Sequence, residues 1–128
     1  MVELVLDTNA ASAFFDGSKE VVDRIDLTPS LYLPATVIGE FAYGAMKSKG
    51  AEANLRKLSV LEKGCTVISC DATVARMYGK IKIDLERSER LIPENDMWIA
   101  ACALHVGIPL LTNDKHFDLV EGVVRVSW

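Results

Sequence analysis

Short apolar runs alternate along this chain with stretches of helical spacing, and that alternation restricts the fold more than any other feature. Leu4-Val5-Leu6 reads as a strand and passes directly into an Ala-rich helical segment that begins Asp7-Thr8-Asn9. Lys19 to Leu27 is then a short amphipathic helix, Leu31 to Pro34 a strand, and Thr36 to Lys49 a helix ended by Gly50. Glu52 to Lys63 is a further helix stopped by Gly64, and Cys65 to Ser69 a third strand. A long helix from about Asp71 to about Ser88 carries Val74, Met77, Tyr78, Ile81 and Leu85 along one face. Pro93 to Asn95 opens a helix that Gly107 closes, Pro109 to Thr112 is a strand, and the alternating Val123 to Trp128 is a last one. Such a succession predicts an α/β fold, a mostly parallel central sheet with helices on both faces. At 128 residues and 50% hydrophobic composition, one domain over residues 1–128 is expected, with no linker or internal repeat.

Charge and cysteine content narrow the function classes. A net charge of −4 argues against a generally basic nucleic-acid-binding protein, although 14 Lys and Arg against 18 Asp and Glu leave room for local patches of either sign. Cys65, Cys70 and Cys102 form no CxxC motif, so free buried thiols in a reducing cytoplasm are expected. The first residues lack a basic, then apolar, export pattern, and the longest apolar segment, Met97 to Leu111, is broken by His105, Gly107 and Pro109. A cytoplasmic protein without a membrane span is the expectation.

Four acids stand where apolar patterning does not call for them. Asp7 ends the first strand, at the edge of a parallel sheet where ligands bind, although capping the next helix is the plain alternative. Glu40 lies in "PATVIGEFAYGAM" beside Val37, Phe41 and Gly44; a capping box from Thr36 would need glutamate at 39, which is Gly39. Asp96 occupies the first turn of a helix that is apolar almost all round from Met97 to Leu104, with helix-dipole stabilisation as its plain alternative. Asp114 follows "PLLT" as Asp7 follows the first strand, with a turn residue as its alternative. Two acids at strand ends and two on packed helices can converge on one edge of the sheet. Converging carboxylates repel one another and take up protons unless a cation supplies opposite charge. Oxygen donors without a Cys or His cluster suit Mg2+ or Mn2+ rather than zinc.

"LDTN" at Leu6 to Asn9, Glu40 within an apolar helix, "NDMWIAACALHVGIPLLTND" and Phe117 together resemble PIN-domain proteins, close to the VapC-like toxins of bacterial and archaeal toxin-antitoxin pairs. The resemblance spans nearly the whole chain. It implies a ribonuclease that hydrolyses RNA phosphodiester bonds at a Mg2+ or Mn2+ site made by Asp7, Glu40, Asp96 and Asp114. Asp7 and Asp96 are the first choice as direct ligands, with Glu40 and Asp114 completing the shell or orienting water. Asn9 and Thr112 match polar positions that orient the site. A cognate antitoxin and a homodimer are implied partners besides RNA, with Phe14, Phe15, Phe41 and Tyr43 available either to an interface or to the core. Glu94 departs from the pattern and reads as a first-turn dipole residue more readily than as an outer partner of the metal.

Phosphate contacts at the rim fall to Lys47, Lys49, Arg87 and Arg90, all near helix ends, where solvated charge is the plain alternative. Three competing readings use the same chain differently. His105 and His116 would be the acid-base pair of metal-independent RNA cleavage. Asp7 would be the nucleophile of a phosphoacceptor or phosphatase-like domain, although position 9 is Asn9 rather than a second acid. A non-catalytic PIN-like module would bind RNA or a protein without cutting.

Overall fold

The first strand is apolar on both faces, as a strand must be when it has neighbours on both edges and helices over it. In the computed structural model, which describes residues 2–128, Leu4, Val5 and Leu6 are fully buried in β1 (Glu3–Leu6). The chain continues through α1 (Thr8–Phe15), α2 (Lys19–Asp26), β2 (Ser30–Pro34), α3 (Ala35–Lys47), α4 (Ala51–Lys63) and β3 (Thr66–Ile68). It returns through α5 (Ala72–Arg87) and α6 (Glu94–Val106) to β4 (Leu110–Leu111), a 3-10 turn over Lys115–Leu119, and β5 (Arg125–Val126). The sheet has five strands in the order β3-β2-β1-β4-β5, and every pairing is parallel.

That order positions the site. From β1 the chain winds outward to β2 and β3, then crosses back to lay β4 against the other side of β1, pairing Val5 with Leu110 and Leu6 with Leu111. Strand order therefore reverses between β1 and β4, and the crevice beyond their carboxyl ends is the switch point at which open α/β sheets bind ligands. Asp7 follows β1 and Thr112 to Asp114 follow β4.

The helix that is apolar all round is the buried one. Met97, Ile99, Ala100, Ala101, Cys102 and Ala103 of α6 lie within the core. Gly107 ends it in the left-handed conformation at φ 68°, which a side chain would strain, and donates its N–H to Ala103 O at 2.9 Å. On α5, Val74, Ile81 and Leu85 are buried and Met77 and Tyr78 pack against the core, the face expected from their spacing. Phe14 and Phe15 also pack against the core, whereas Tyr43 is exposed.

Several boundaries differ from those read from the sequence. α3 starts at Ala35 with Pro34 in the cap position, so no capping box forms around Thr36. Its hydroxyl lies instead 3.5 Å from the Cys70 sulfur. β5 is two residues rather than Val123 to Trp128, because its one neighbour, β4, is itself two residues and offers no longer edge to pair with. The cysteines are free, as expected, but Cys70 is exposed, Cys65 only partly buried and Cys102 buried. Desolvation pushes the Cys65 thiol up to about 11 and the Cys102 thiol up to about 12, so both are inert at neutral pH. Among the described residues, no helix is long and apolar enough to cross a membrane.

Candidate metal centre

Asp7 is at once a cap and something more. As N-cap of α1 it accepts the Thr8 N–H at 2.8 Å through Oδ1, which is the plain role anticipated for it. Its other oxygen, Oδ2, accepts the hydroxyl of Thr112 at 2.7 Å, although the two residues are 105 apart in the chain. Only 3% of Asp7 is exposed. Burial is the main reason its carboxyl is pushed up to about 6 from 3.8; the Thr112 and Thr8 hydrogen bonds pull the other way, and the charges of Asp96 and Glu40 push further up.

Thr112 joins two acids. While its hydroxyl donates to Asp7, its oxygen accepts the backbone N–H of Asp114 at 3.0 Å. Asn9 Oδ1 stands 3.3 Å from the same hydroxyl, whose single proton goes to the shorter Asp7 contact. Replacing this fully buried threonine with valine keeps its shape but leaves the Asp7 oxygen and the Asp114 N–H without a partner. Urea unfolding in chelator should show Thr112→Val destabilised by about 1–3 kcal/mol.

Glu40 is held from the other side. It sits on α3 and accepts the Thr8 hydroxyl at 3.0 Å, so Thr8 ties α1 to α3 with its side chain while its backbone binds Asp7. The third group lies at the start of α6 and the end of β4. His116 Nδ1 is 3.1 Å from Asp114 Oδ1 and 3.3 Å from Asp96 Oδ2. The ligating atoms of Asp96, Asp114 and His116 all lie within 4.8 Å of one another. Asp114 also caps the 3-10 turn by accepting the His116 N–H at 2.9 Å. Burial raises the Asp96 carboxyl above the usual aspartate range; the hydrogen bond from His116 lowers it and the charge of Asp114 raises it.

All four acids predicted from the sequence thus form one chain of contacts and fields at the switch point, with Asn9 and Thr112 between them. Among the described residues, no Lys or Arg is ion-paired to any of the four. Arg125, whose field reaches Asp114, is itself engaged by Asp118 at 2.8 and 3.0 Å. Clustered carboxylates with so little countercharge suit a divalent cation, and the donor set fits one.

Glu94 does not join them. It accepts from Lys82 at 2.6 Å and from the Tyr78 hydroxyl, on α5, where Tyr78 also packs on Trp98 with ring centroids 4.1 Å apart. Lys47, Lys49, Arg87 and Arg90 are exposed. None of them lines the groove of about 330 Å3 that runs past Glu40 between Thr8, Phe15, Phe41, Asn54 and Lys57. Lys57 is the cation of that groove, and its mid-helix position in α4 carried no signal. The link from Thr8 to Glu40 spans 32 residues that no local pattern connects. His116, exposed over half of its side chain, lies in the 3-10 turn against two acids, because Phe117 beside it is fully buried and fixes the turn. His105 is exposed at the far end of α6, nine residues beyond Asp96 and so about 13 Å along the axis. The two histidines do not make one acid-base pair.

Comparison with known proteins identifies the family. The family model described as PIN domain matches residues 4–123. Ribonuclease VapC2 of Rickettsia felis is 27% identical over 129 aligned positions, which cover 97% of this chain and 96% of that protein. The tRNA(fMet)-specific endonuclease VapC of Shigella flexneri is 28% identical, with 100% and 99% covered. Among solved structures, VapBC2 from Rickettsia felis bound to a DNA fragment from their promoter has a chain that superposes with a TM-score of 0.91 at 25% identity, covering 98% of both chains. DNA-bound VapBC from Salmonella typhimurium gives 0.91 at 25% identity, over 100% of this chain and 99% of that one.

Proposed function

Because the chain belongs to the PIN-domain family, we propose that it is a Mg2+- or Mn2+-dependent ribonuclease and the toxin of a toxin-antitoxin pair. The observation that carries the reading is the Thr112 hydroxyl shared between Asp7 and the backbone of Asp114, which gathers acids from both halves of the chain at one sheet edge.

In this reading Asp7 and Asp96 would hold the ion directly, and Asp114 would complete the set from the end of β4. A divalent ion held there would lower the pKa of a water and polarise a phosphoryl oxygen. Thr112 and the Thr8 N–H fix the Asp7 carboxylate, so its orientation does not have to be won at the moment of reaction. Glu40, held by the Thr8 hydroxyl, faces the groove and is placed to orient the attacking water and accept its proton. Lys57, in the same groove, offers charge to the RNA backbone. Lys47, Lys49, Arg87 and Arg90 remain rim candidates by their exposure. The partners are RNA, a cognate antitoxin and a second copy of the chain, for which the exposed Tyr43 and Met46 of α3 offer apolar surface.

Water attack on phosphorus leaves the neighbouring 2′-hydroxyl out of the chemistry. A cleavable RNA and its counterpart with one 2′-deoxy residue at the cut site should therefore both be cut in Mg2+ or Mn2+, and neither in chelator. The products should carry 5′-phosphate and 3′-hydroxyl ends. Cleavage in chelator, with 2′,3′-cyclic phosphate ends and none after deoxy substitution, would sink the metal-dependent reading.

A further inference from the structure

We propose that His116 is itself a ligand of the divalent ion, adding one imidazole nitrogen to the carboxylate set and turning the site toward Mn2+ over Mg2+. The inference rests on the metal-dependent reading above and adds to it a ligand outside the four acids.

Nδ1 of His116 faces two carboxylates from different elements, Asp114 after β4 at 3.1 Å and Asp96 on α6 at 3.3 Å. One ring nitrogen carries at most one proton, which serves one acceptor well and not two. A cation between the three atoms serves all of them. Donor atoms held at about 2.0–2.2 Å from one ion and at right angles to each other lie roughly 3 Å apart. Both contacts already have that spacing, and the three donor atoms lie within 4.8 Å of one another. The ring is held there by the backbone on either side. Asp114 accepts the His116 N–H, and Phe117 is anchored in the core.

The donor chemistry then separates the two ions. Mg2+ is a hard ion served by oxygen, and a nitrogen in its shell adds little. Imidazole favours transition metals over Mg2+, and Mn2+ is one of them that also takes carboxylate oxygen readily. Two aspartate oxygens with one histidine nitrogen suit it better than they suit Mg2+.

The test uses the full chain with Mn2+ alone. Pulsed electron paramagnetic resonance of bound Mn2+ should show the coupling of a directly coordinated imidazole nitrogen in the wild-type protein. His105 is the other histidine of the chain and stands at the far end of α6, so the coupling should vanish in His116→Ala and persist in His105→Gln. Losing an outer partner typically costs a metal site about ten- to a hundredfold in affinity, and losing a direct ligand should weaken Mn2+ binding by at least about tenfold. Mg2+ affinity, read by competition, should change by less than about threefold. A wild-type spectrum of bound Mn2+ without nitrogen coupling, or a coupling that survives in folded His116→Ala, overturns the inference and leaves the four-carboxylate site standing. Wild-type protein that binds neither ion overturns both.

Discussion

Asp7→Asn is expected to end RNA cleavage while making the metal-free protein more stable. The folded carboxyl of Asp7 stands at about 6 against 3.8 when free, mainly because it is buried. Between those two values the folded chain holds a proton that the unfolded chain has released, so stability falls as pH rises from about 4 through about 6. Above that range the charged carboxylate burdens the fold by roughly 3 kcal/mol at most. Asparagine removes the charge but has one acceptor oxygen for the two donors, Thr8 N–H and Thr112 hydroxyl, which takes back about 1 kcal/mol. Urea unfolding in chelator at pH 7 should therefore show a gain of about 1–2 kcal/mol that disappears near pH 4. Cleavage in Mn2+ should drop by at least about a hundredfold, since several kcal/mol of charge stabilisation are lost with the ligand. A variant that cleaves normally would remove Asp7 from the site, and one less stable at pH 7 would show that burial of this charge carries no cost.

Growth should stop when this protein is expressed alone and resume when a cognate antitoxin, expected from a small gene beside its own, is expressed as well. The solved relatives are complexes named VapBC, and a partner that brings a basic side chain to the uncompensated acids would neutralise them and keep the ion out. Asp96→Asn should be harmless at the same expression level, which ties arrest to the acids rather than to protein load. Vigorous growth with verified, folded wild-type protein would count against the toxin reading.

What could be read beforehand followed from one-dimensional signals. Asp7 and Asp114 were legible because each stands just beyond an apolar strand, and Asp96 because an acid in the first turn precedes the mostly buried run from Met97 to Ala103. Glu40 stood out as an acid beside an apolar stripe. The fold was legible for the same reason, since strands and helices leave different periods. Thr8, Lys57 and His116 left no such trace. Thr8 reaches Glu40 across 32 residues, and His116 turns toward the acids because its neighbour Phe117 is locked in the core. Periodicity reports which face of an element is buried and not which side chain meets which across the sheet. Strand length failed for a related reason: β5 can pair only as far as β4 extends.

The strand order has a consequence in time. Asp7 and Glu40 precede β3, and Asp96 and Asp114 come from the returning half, so the hydrogen bond that joins the halves links residues 105 apart. Translation at roughly 5–20 residues per second puts several seconds between the emergence of Asp7 and that of Thr112. During those seconds the ribosome holds a chain without Asp114 and with no switch point, because β4 is not yet beside β1. A potential RNA cutter attached to the machine that reads RNA is thus inert until nearly all of it has been made.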